Sequence, residues 1–482
     1  MTPEHVDVLI VGAGLSGIGA GYHLQTHCPG KTYLILEARS CSGGTWDLFR
    51  YPGVRSDSDM YTLGYSFRPW TDPKAIADGP AILAYVRDTA REHGIDRRIR
   101  FDHRVARAVW SSRDGRWTLE VEHEDRSVRL TCGFLFLCTG YYDYAQGYVP
   151  QFAGTERYRG RIVHPQHWRD DIDYAGKRVI VIGSGATAVT LVPELAAKAA
   201  HVTMLQRSPT YVVSRPQQDG IANGLRRVLP ARLAYAITRW KNVTLGLLFF
   251  KLCRHAPARM KKLILQAVRK ELGPDYDVKR HFTPRYDPWD QRMCLVPNGD
   301  LFAAIRSGKA DVVTDRIETF TERGLLLESG TSLEADLIVT ATGLNLKACG
   351  GMQLAVDGRP VELAKTLTYK GMMYSGVPNL AAAFGYTNAS WTLKCDLTCR
   401  YVCRLLEHMQ AHGYRQCTPI NKDPSVAHEP LIDFSSGYVQ RSIADLPKQG
   451  SKAPWRLYQN YARDLVLLRF GAVEDEAMEF TR

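Results

Sequence analysis

Two short stretches carry the residue types that hold a dinucleotide. Gly12-Ala-Gly14-Leu-Ser16-Gly17 follows an apolar run, Val6 to Val11, and opens a helical pattern that continues to about Thr26. In such a loop Gly12 permits the tight turn, Gly14 lets the backbone approach a pyrophosphate, and Gly17 lets helix and strand pack closely. The unpaired N–H groups of the helix N-terminus then face the phosphates. A second strand pattern, Thr32 to Leu36, ends at Glu37, where a carboxylate can accept from ribose hydroxyls.

The arrangement recurs further along. Arg178 to Ile182 runs into Gly183-Ser184-Gly185-Ala186-Thr187-Ala188, with Val189 and Thr190 continuing a helix to about Ala197. Alanine is a permitted third member of the motif. The next strand, His201 to Leu205, ends at Gln206-Arg207-Ser208 with no acid. A carboxylate there would repel a 2′-phosphate, whereas Arg207 attracts one. The first unit therefore suits a cofactor with free ribose hydroxyls and the second suits NADP. Together they imply a flavin reduced by a nicotinamide.

Two further strand patterns, Phe134 to Leu137 and Leu337 to Thr340, run into Thr139-Gly140 and Thr342-Gly343. These turns bracket the second unit and mark an inserted domain. The expected fold is α/β, with two Rossmann-like dinucleotide-binding domains, the second inserted in the first. The division expected is 1–145 for the first part of the FAD-binding domain, 146–340 for the NADP-binding domain, and 341–482 for the second FAD-binding part with a C-terminal region.

Of 482 residues 62 are basic and 50 acidic, a net charge of +12. The excess is local: residues 221–270 hold twelve Lys or Arg and no acid, so the remainder of the chain is balanced. That pattern differs from a uniformly basic nucleic-acid binder, and no nucleic-acid partner is expected. A helical basic insert is placed at 218–275. Pro230 and Pro257 can each open a helix. Met260, Leu263, Ile264, Ala267 and Val268 form an apolar stripe beside Lys261, Lys262 and Arg269. With Trp240, Leu247, Leu248, Phe249 and Phe250 interleaved, the insert reads either as a peripheral contact with anionic lipid or as a solvated face packed over the NADP-binding domain.

The composition, 45% hydrophobic and 23% charged, excludes a disordered or fibrous chain. The longest uncharged stretch in the most apolar region, Asn242 to Phe250, is far short of the ~20 residues that span a bilayer. No basic segment precedes Val6, so no secretory signal is expected. The eleven cysteines include no Cys-x-x-Cys pair, which argues against a disulfide reductase. Cys395, Cys399 and Cys403 share a helix face but lack zinc spacing; they read as buried apolar groups, with no metal site and a reducing, cytoplasmic compartment.

Longer motifs complete the picture. They are the run from Gly43 to Tyr61, the run from Asp290 to Pro297, the segment Leu446 to Gly450, and Tyr158-x-Gly160-x3-His164-x3-Trp168. By these the chain resembles the class B flavin monooxygenases, the flavin-containing and Baeyer–Villiger monooxygenases, over nearly its full length. Trp168 matches the Baeyer–Villiger branch; Tyr158, where that fingerprint has Phe, is a mild departure.

The resemblance implies FAD and NADPH as cofactors, O2 as co-substrate, and a ketone, sulfide or thioamide as the molecule oxygenated. Ser16, Glu37, Thr45, Trp46, Asp47, Leu48 and Asp57 match positions lining the flavin cofactor, and Val105 a contact to its adenine end. Arg55, Ser56 and Asp57 match a loop between flavin and nicotinamide. Residues 184–190 match the NADP phosphate loop, with Arg207 and Ser208 at the 2′-phosphate. Arg292 matches the arginine that stabilises anionic oxygen species, and Asp57 would orient it if the two meet. The fingerprint residues Tyr158, Gly160, His164 and Trp168 match a hinge between domains. An N-hydroxylating enzyme, and a non-catalytic basic protein that binds membranes or nucleic acid, are the competing readings; a colourless protein inert toward NADPH would favour the second.

Overall fold

A computed structural model describes residues 3–482 of the chain. The first module opens with β1 (Glu4–Val11), α1 (Leu15–His27) and β2 (Tyr33–Leu36). Helix α2 (Gly79–Glu92) leads to β3 (Ile99–Arg100), followed by the antiparallel strands β4 (Arg104–Ser111), β5 (Arg116–His123) and β6 (Arg126–Leu137). Strand β1 shows no polar alternation because both its faces are covered. Val8 and Ile10 enter one core with Ile18 and Leu24 of α1, while Leu9 and Val11 enter the opposite core with Trp110 and Trp117.

The second module begins at β7 (Arg161–Val163) and β8 (Arg178–Ile182), then α3 (Ala186–Ala196) and β9 (His201–Gln206). Strand β10 (Val212–Arg215) leads into three helices: α4 (Gly220–Val228), α5 (Ala231–His255) and α6 (Pro257–Leu272). Strand β11 (Cys294–Pro297), α7 (Asp300–Arg306), β12 (Ala310–Thr314) and β13 (Leu337–Thr340) complete it. Its sheet is all parallel in the order β12-β9-β8-β13-β7.

The chain then returns to the first sheet. Strands β14 (Gln353–Val356), β15 (Arg359–Pro360) and β16 (Leu380–Ala382) add to it, giving the order β15-β14-β4-β5-β6-β1-β2-β3 with β16 on β6. Helix α8 (Trp391–His412) packs along α1, and Cys395, Cys399 and Cys403 are buried there as free thiols. Two helices close the chain, α9 (Gly437–Ser442) and α10 (Tyr461–Phe470).

The basic insert does not simply cover the second module. Helix α5 lies on the first: Tyr235 donates to the Tyr65 carbonyl at 3.0 Å, and Arg239 donates to the Tyr61 and Gly64 carbonyls at 2.9 and 2.8 Å and approaches the Asp396 carboxylate at 3.5 Å. Helix α6 turns back to the second module, burying Val268 and Leu272 in its core. The apolar stripe expected on α6 is narrower than its sequence suggests. Met260 and Ile264 are buried, but Leu263 and Ala267 face outward, because the helix packs on one side only.

Candidate active site

Each glycine loop packs against one of the Thr-Gly turns. Gly12 has φ +104°, and a Cβ there would lie 2.6 Å from the Cys138 carbonyl oxygen. Gly183 has φ +139°, and its Cβ would meet the Ala341 carbonyl oxygen at 2.3 Å. Only glycine tolerates both the dihedral and the contact. Gly14 and Gly185 are the N-caps of α1 and α3, and neither helix has a side-chain cap. Their first-turn N–H groups are therefore open to an anion.

Both loops face one cleft of about 1340 Å³. This exceeds the ~300–1,000 Å³ usual for a single small ligand, which suits two dinucleotides. On the first module's side it is lined by Gly12, Gly14, Ser16, Glu37, Thr45 and Trp46, with Val105 at the Glu37 end. On the second module's side stand Gly183, Ser184, Gly185, Ala186, Thr187 and Thr190, with Arg207 and Ser208 beyond. Arg55, Ser56, Asp57 and Arg292 lie between the two sets.

Five expected contacts do not reach the cleft. Gly17 is buried behind it, where a Cβ would lie 1.9 Å from the Gly12 carbonyl oxygen; its part is helix–strand packing. Ala188 and Val189 point into the second core. Leu48 packs on that core from outside. Asp47 is 2% exposed and spends its carboxylate on Arg39 and on Arg87 at 2.7 Å, bracing the loop that presents Thr45.

The Glu37 carboxylate accepts from the Ala13 and Arg39 N–H groups at 2.8 and 3.1 Å. Burial pushes its pKa up, and these bonds counter only part of that. Arg207 is exposed and forms no ion pair among the described residues, so its charge is free for a ligand. The Ser184 hydroxyl donates to the Ser208 carbonyl at 3.0 Å and ties the loop to the strand end.

Arg292 Nε donates to the Asp57 carboxylate at 2.6 Å. Each side chain is one-third exposed, and both line the cleft. The Asp57 charge, acting against burial, holds Arg292 protonated more firmly than an ordinary guanidinium. Three phenols that line the cleft surround the pair. Tyr142 is pushed up to about 12 by burial, and Tyr141 and Tyr438 are also raised by burial, so all three are neutral donors.

Several residues here escape a reading by motif. Tyr141 and Tyr142 directly follow Gly140, so that turn was their signal. Trp391 donates to the Ser16 hydroxyl at 2.8 Å and stacks on Tyr141 with ring centroids 5.2 Å apart; nothing local in the sequence marks it. Arg55 pairs with Asp300 at the start of α7, bridging the modules.

The fingerprint lies away from the cleft. Tyr158 donates to the Ala335 carbonyl at 3.0 Å, over a Gly160 that leaves room for its hydroxyl. His164 meets the Gly343 carbonyl through Nε2 at 3.2 Å. Trp168 is buried with the second module's core. The two chain crossings run side by side there: Tyr148 N–H donates to the Gly343 carbonyl at 3.0 Å, and Asn345 donates to the Gln146 and Gly147 carbonyls at 3.3 Å.

Two glycine-loop modules sharing one cleft define a protein with two dinucleotide-binding modules. Residues 72–349 match the family described as flavin-binding monooxygenase-like, and residues 10–74 match an NAD(P)-binding Rossmann-like domain. The chain is 56% identical to the FAD-containing monooxygenase EthA of Mycobacterium tuberculosis, over 99% of this chain and 98% of that one. It is 44% identical to the probable FAD-binding monooxygenase AlmA of Acinetobacter baylyi, over 99% and 97%. Among solved structures it is similar to a steroid monooxygenase bound to NADP, with TM-score 0.78, 23% identity and 99% of both chains covered. It is also similar to an open form of cyclohexanone monooxygenase, with TM-score 0.78, 19% identity and 99% and 100% covered. The chain belongs to the flavin-binding monooxygenase-like family. It is a flavin monooxygenase that carries an NAD(P)-binding Rossmann-like segment.

Proposed function

We propose that the enzyme converts ketones to esters or lactones by Baeyer–Villiger oxygenation and oxygenates sulfur in sulfides and thioamides. The observation that carries this reading is the Arg292–Asp57 pair at 2.6 Å, set in the cleft between the two glycine loops. Bound FAD supplies the redox chemistry, taking a hydride from NADPH and passing electrons to O2. The chain supplies position and charge. Arg292 is a fixed cation where negative charge develops on oxygen. Asp57 holds its orientation. Tyr141, Tyr142 and Tyr438 offer neutral O–H donors around the same point.

Residues 1–145 and 341–482 hold FAD in this reading, with Gly12, Gly14, Ser16 and Thr45 at its phosphates and ring and Glu37 at its ribose. Residues 146–340 hold NADP, with Ser184 to Thr187 and Thr190 at the pyrophosphate and Arg207 and Ser208 at the 2′-phosphate. Tyr158, Gly160, His164 and Trp168 serve the hinge. The enzyme works in the cytoplasm and touches anionic membrane peripherally through α4 to α6. No helix among the described residues is long and apolar enough to cross a bilayer.

The test is a product screen. Purified enzyme with NADPH and O2 is offered ketones, sulfides and thioamides, and mass detection looks for one added oxygen. Ester from a ketone and sulfoxide from a sulfide are expected. Oxygenation of amines alone would overturn the reading.

A further inference from the structure

We infer that the outer face of α5, extended by α4 and α10, seats on an anionic lipid bilayer, and that uncharged apolar substrates dissolved in the bilayer reach the cleft past the wall that α5 forms. The inference rests on the peripheral contact proposed above and names its face, its depth and its consequence for substrate.

The face is apolar and unpartnered. On α5, Leu233, Ile237, Trp240 and Leu248 fall within one stripe at helical spacing, opposite the buried Tyr235 and Arg239 and flanked by the buried Val243. Trp240 is 46% exposed. Its ring lies 5.6 Å from that of Tyr461, which begins α10. Helix α10 continues the surface with Val466 and Phe470, the latter 70% exposed, and α4 contributes Val228 at 77%. Scattered apolar residues on a surface are ordinary; exposed apolar side chains grouped along one helix face, joined to a second helix through Trp240 and Tyr461, mark an interaction site.

The charges choose the occupant. Five of the twelve cations in 221–270 are engaged within the protein: Arg226, Arg239, Lys241, Arg254 and Lys261. Arg227, Arg232, Lys251, Arg259 and Lys262 are among those that form no ion pair among the described residues. A second copy of this chain, packed by two-fold symmetry, would set these cations against themselves. An anionic lipid surface matches both the apolar stripe and the charge, with the helices lying in the interface.

Only one layer of side chains separates this face from the cleft. Val243, on the inner side of α5, packs with Tyr386, Leu393, Ala389 and Tyr461. Tyr386 and Ala389 line the cleft. Nearer its C-terminus, α5 brings Phe250 to 5.5 Å from Trp289 and Arg254 to 2.9 Å from Asp290, close in sequence to Arg292. An apolar molecule entering beside α5 would therefore emerge in the cleft that also holds the Arg292–Asp57 pair.

The experiment uses the full-length holoenzyme and vesicles of phosphatidylcholine, alone or mixed with phosphatidylglycerol. Sedimentation should carry the enzyme down with the anionic vesicles only, less so at high salt. Anionic vesicles should lower KM about tenfold for a methyl ketone that partitions into them and leave butanone unaffected. Leu248→Glu combined with Phe470→Glu should lose both effects while keeping FAD and butanone turnover; Val228→Glu is the second variant should the double one fail to fold. Equal sedimentation with both vesicle types, binding without the KM effect, or a folded double variant that still binds anionic vesicles would each overturn the inference. Failure to oxygenate either ketone in any condition would instead overturn the ketone reading, and sedimentation would still judge the lipid face.

Discussion

Asp57 and Arg292 stand 235 residues apart in sequence and meet at 2.6 Å across the join between the modules. The carboxylate comes from the loop after the first glycine unit. The guanidinium comes from the segment that enters β11. The pair therefore exists only when both modules are folded and docked.

Arg292→Ala should separate the two half-reactions. Hydride transfer creates no oxyanion, so NADPH oxidation should continue. Oxygen transfer should fall about a hundred- to a thousand-fold, as when one such stabilising donor is removed. The variant should release hydrogen peroxide, and ketones should suffer more than sulfides. Ester formation near the wild-type rate in a variant that retains FAD would remove Arg292 from the mechanism.

Arg207→Ala should weaken NADPH by about ten- to a hundred-fold and NADH far less, the range of a charge-assisted bond of roughly 1.5–3 kcal/mol. Steady-state KM values for both nucleotides provide the check. Equal losses would mean that Arg207 does not read the 2′-phosphate.

Acid should weaken the fold through His27. Its pKa is lowered from 6.5 to about 4, first by burial and then by Arg400, His23 and Arg469. Between those values the unfolded chain takes up a proton that the folded one refuses, so stability is full above about pH 6.5 and falls toward pH 4. His27→Gln should flatten this part of the curve of urea midpoint against pH. An unchanged slope would assign the loss to other groups.

Gly12→Ala should empty the first module of FAD. The new Cβ would stand 2.6 Å from backbone at φ +104°, so nothing flexible can yield. A loss of at least about 2 kcal/mol and a colourless protein are expected. Normal flavin content and thermal midpoint would show that the turn relaxes.

The glycine loops were legible because backbone geometry dictates residue type there: Gly12 and Gly183 admit no substitute. Of the β4–β5–β6 meander the end of β6, Phe134–Leu137, reads as a strand from sequence, but the antiparallel pairing does not, although Trp117, Leu119 and Val121 alternate with polar residues along β5. Asp47 was misplaced because a motif reports neighbourhood, not direction; its side chain turns from the cleft to Arg39 and Arg87. Trp391 was invisible because its partner Ser16 lies 375 residues away, and only the folded chain brings them together. The placement of α5 on the first module rests likewise on long-range contacts, those of Tyr235 and Arg239 with the Tyr65, Tyr61 and Gly64 carbonyls and with Asp396.

Helix α5 is, mechanically, a strut fixed at both ends. Near its start Arg239 is sunk among the Tyr61 and Gly64 carbonyls of the first module, and near its finish Arg254 grips Asp290. Its 25 residues span about 37 Å at the helical rise of ~1.5 Å each, and a helix transmits a push with little give. If the second module swings about its paired crossings, the strut cannot shorten to follow. Either the Arg254 grip slips or the Asp290–Arg292 segment is dragged, and the cation moves off its carboxylate.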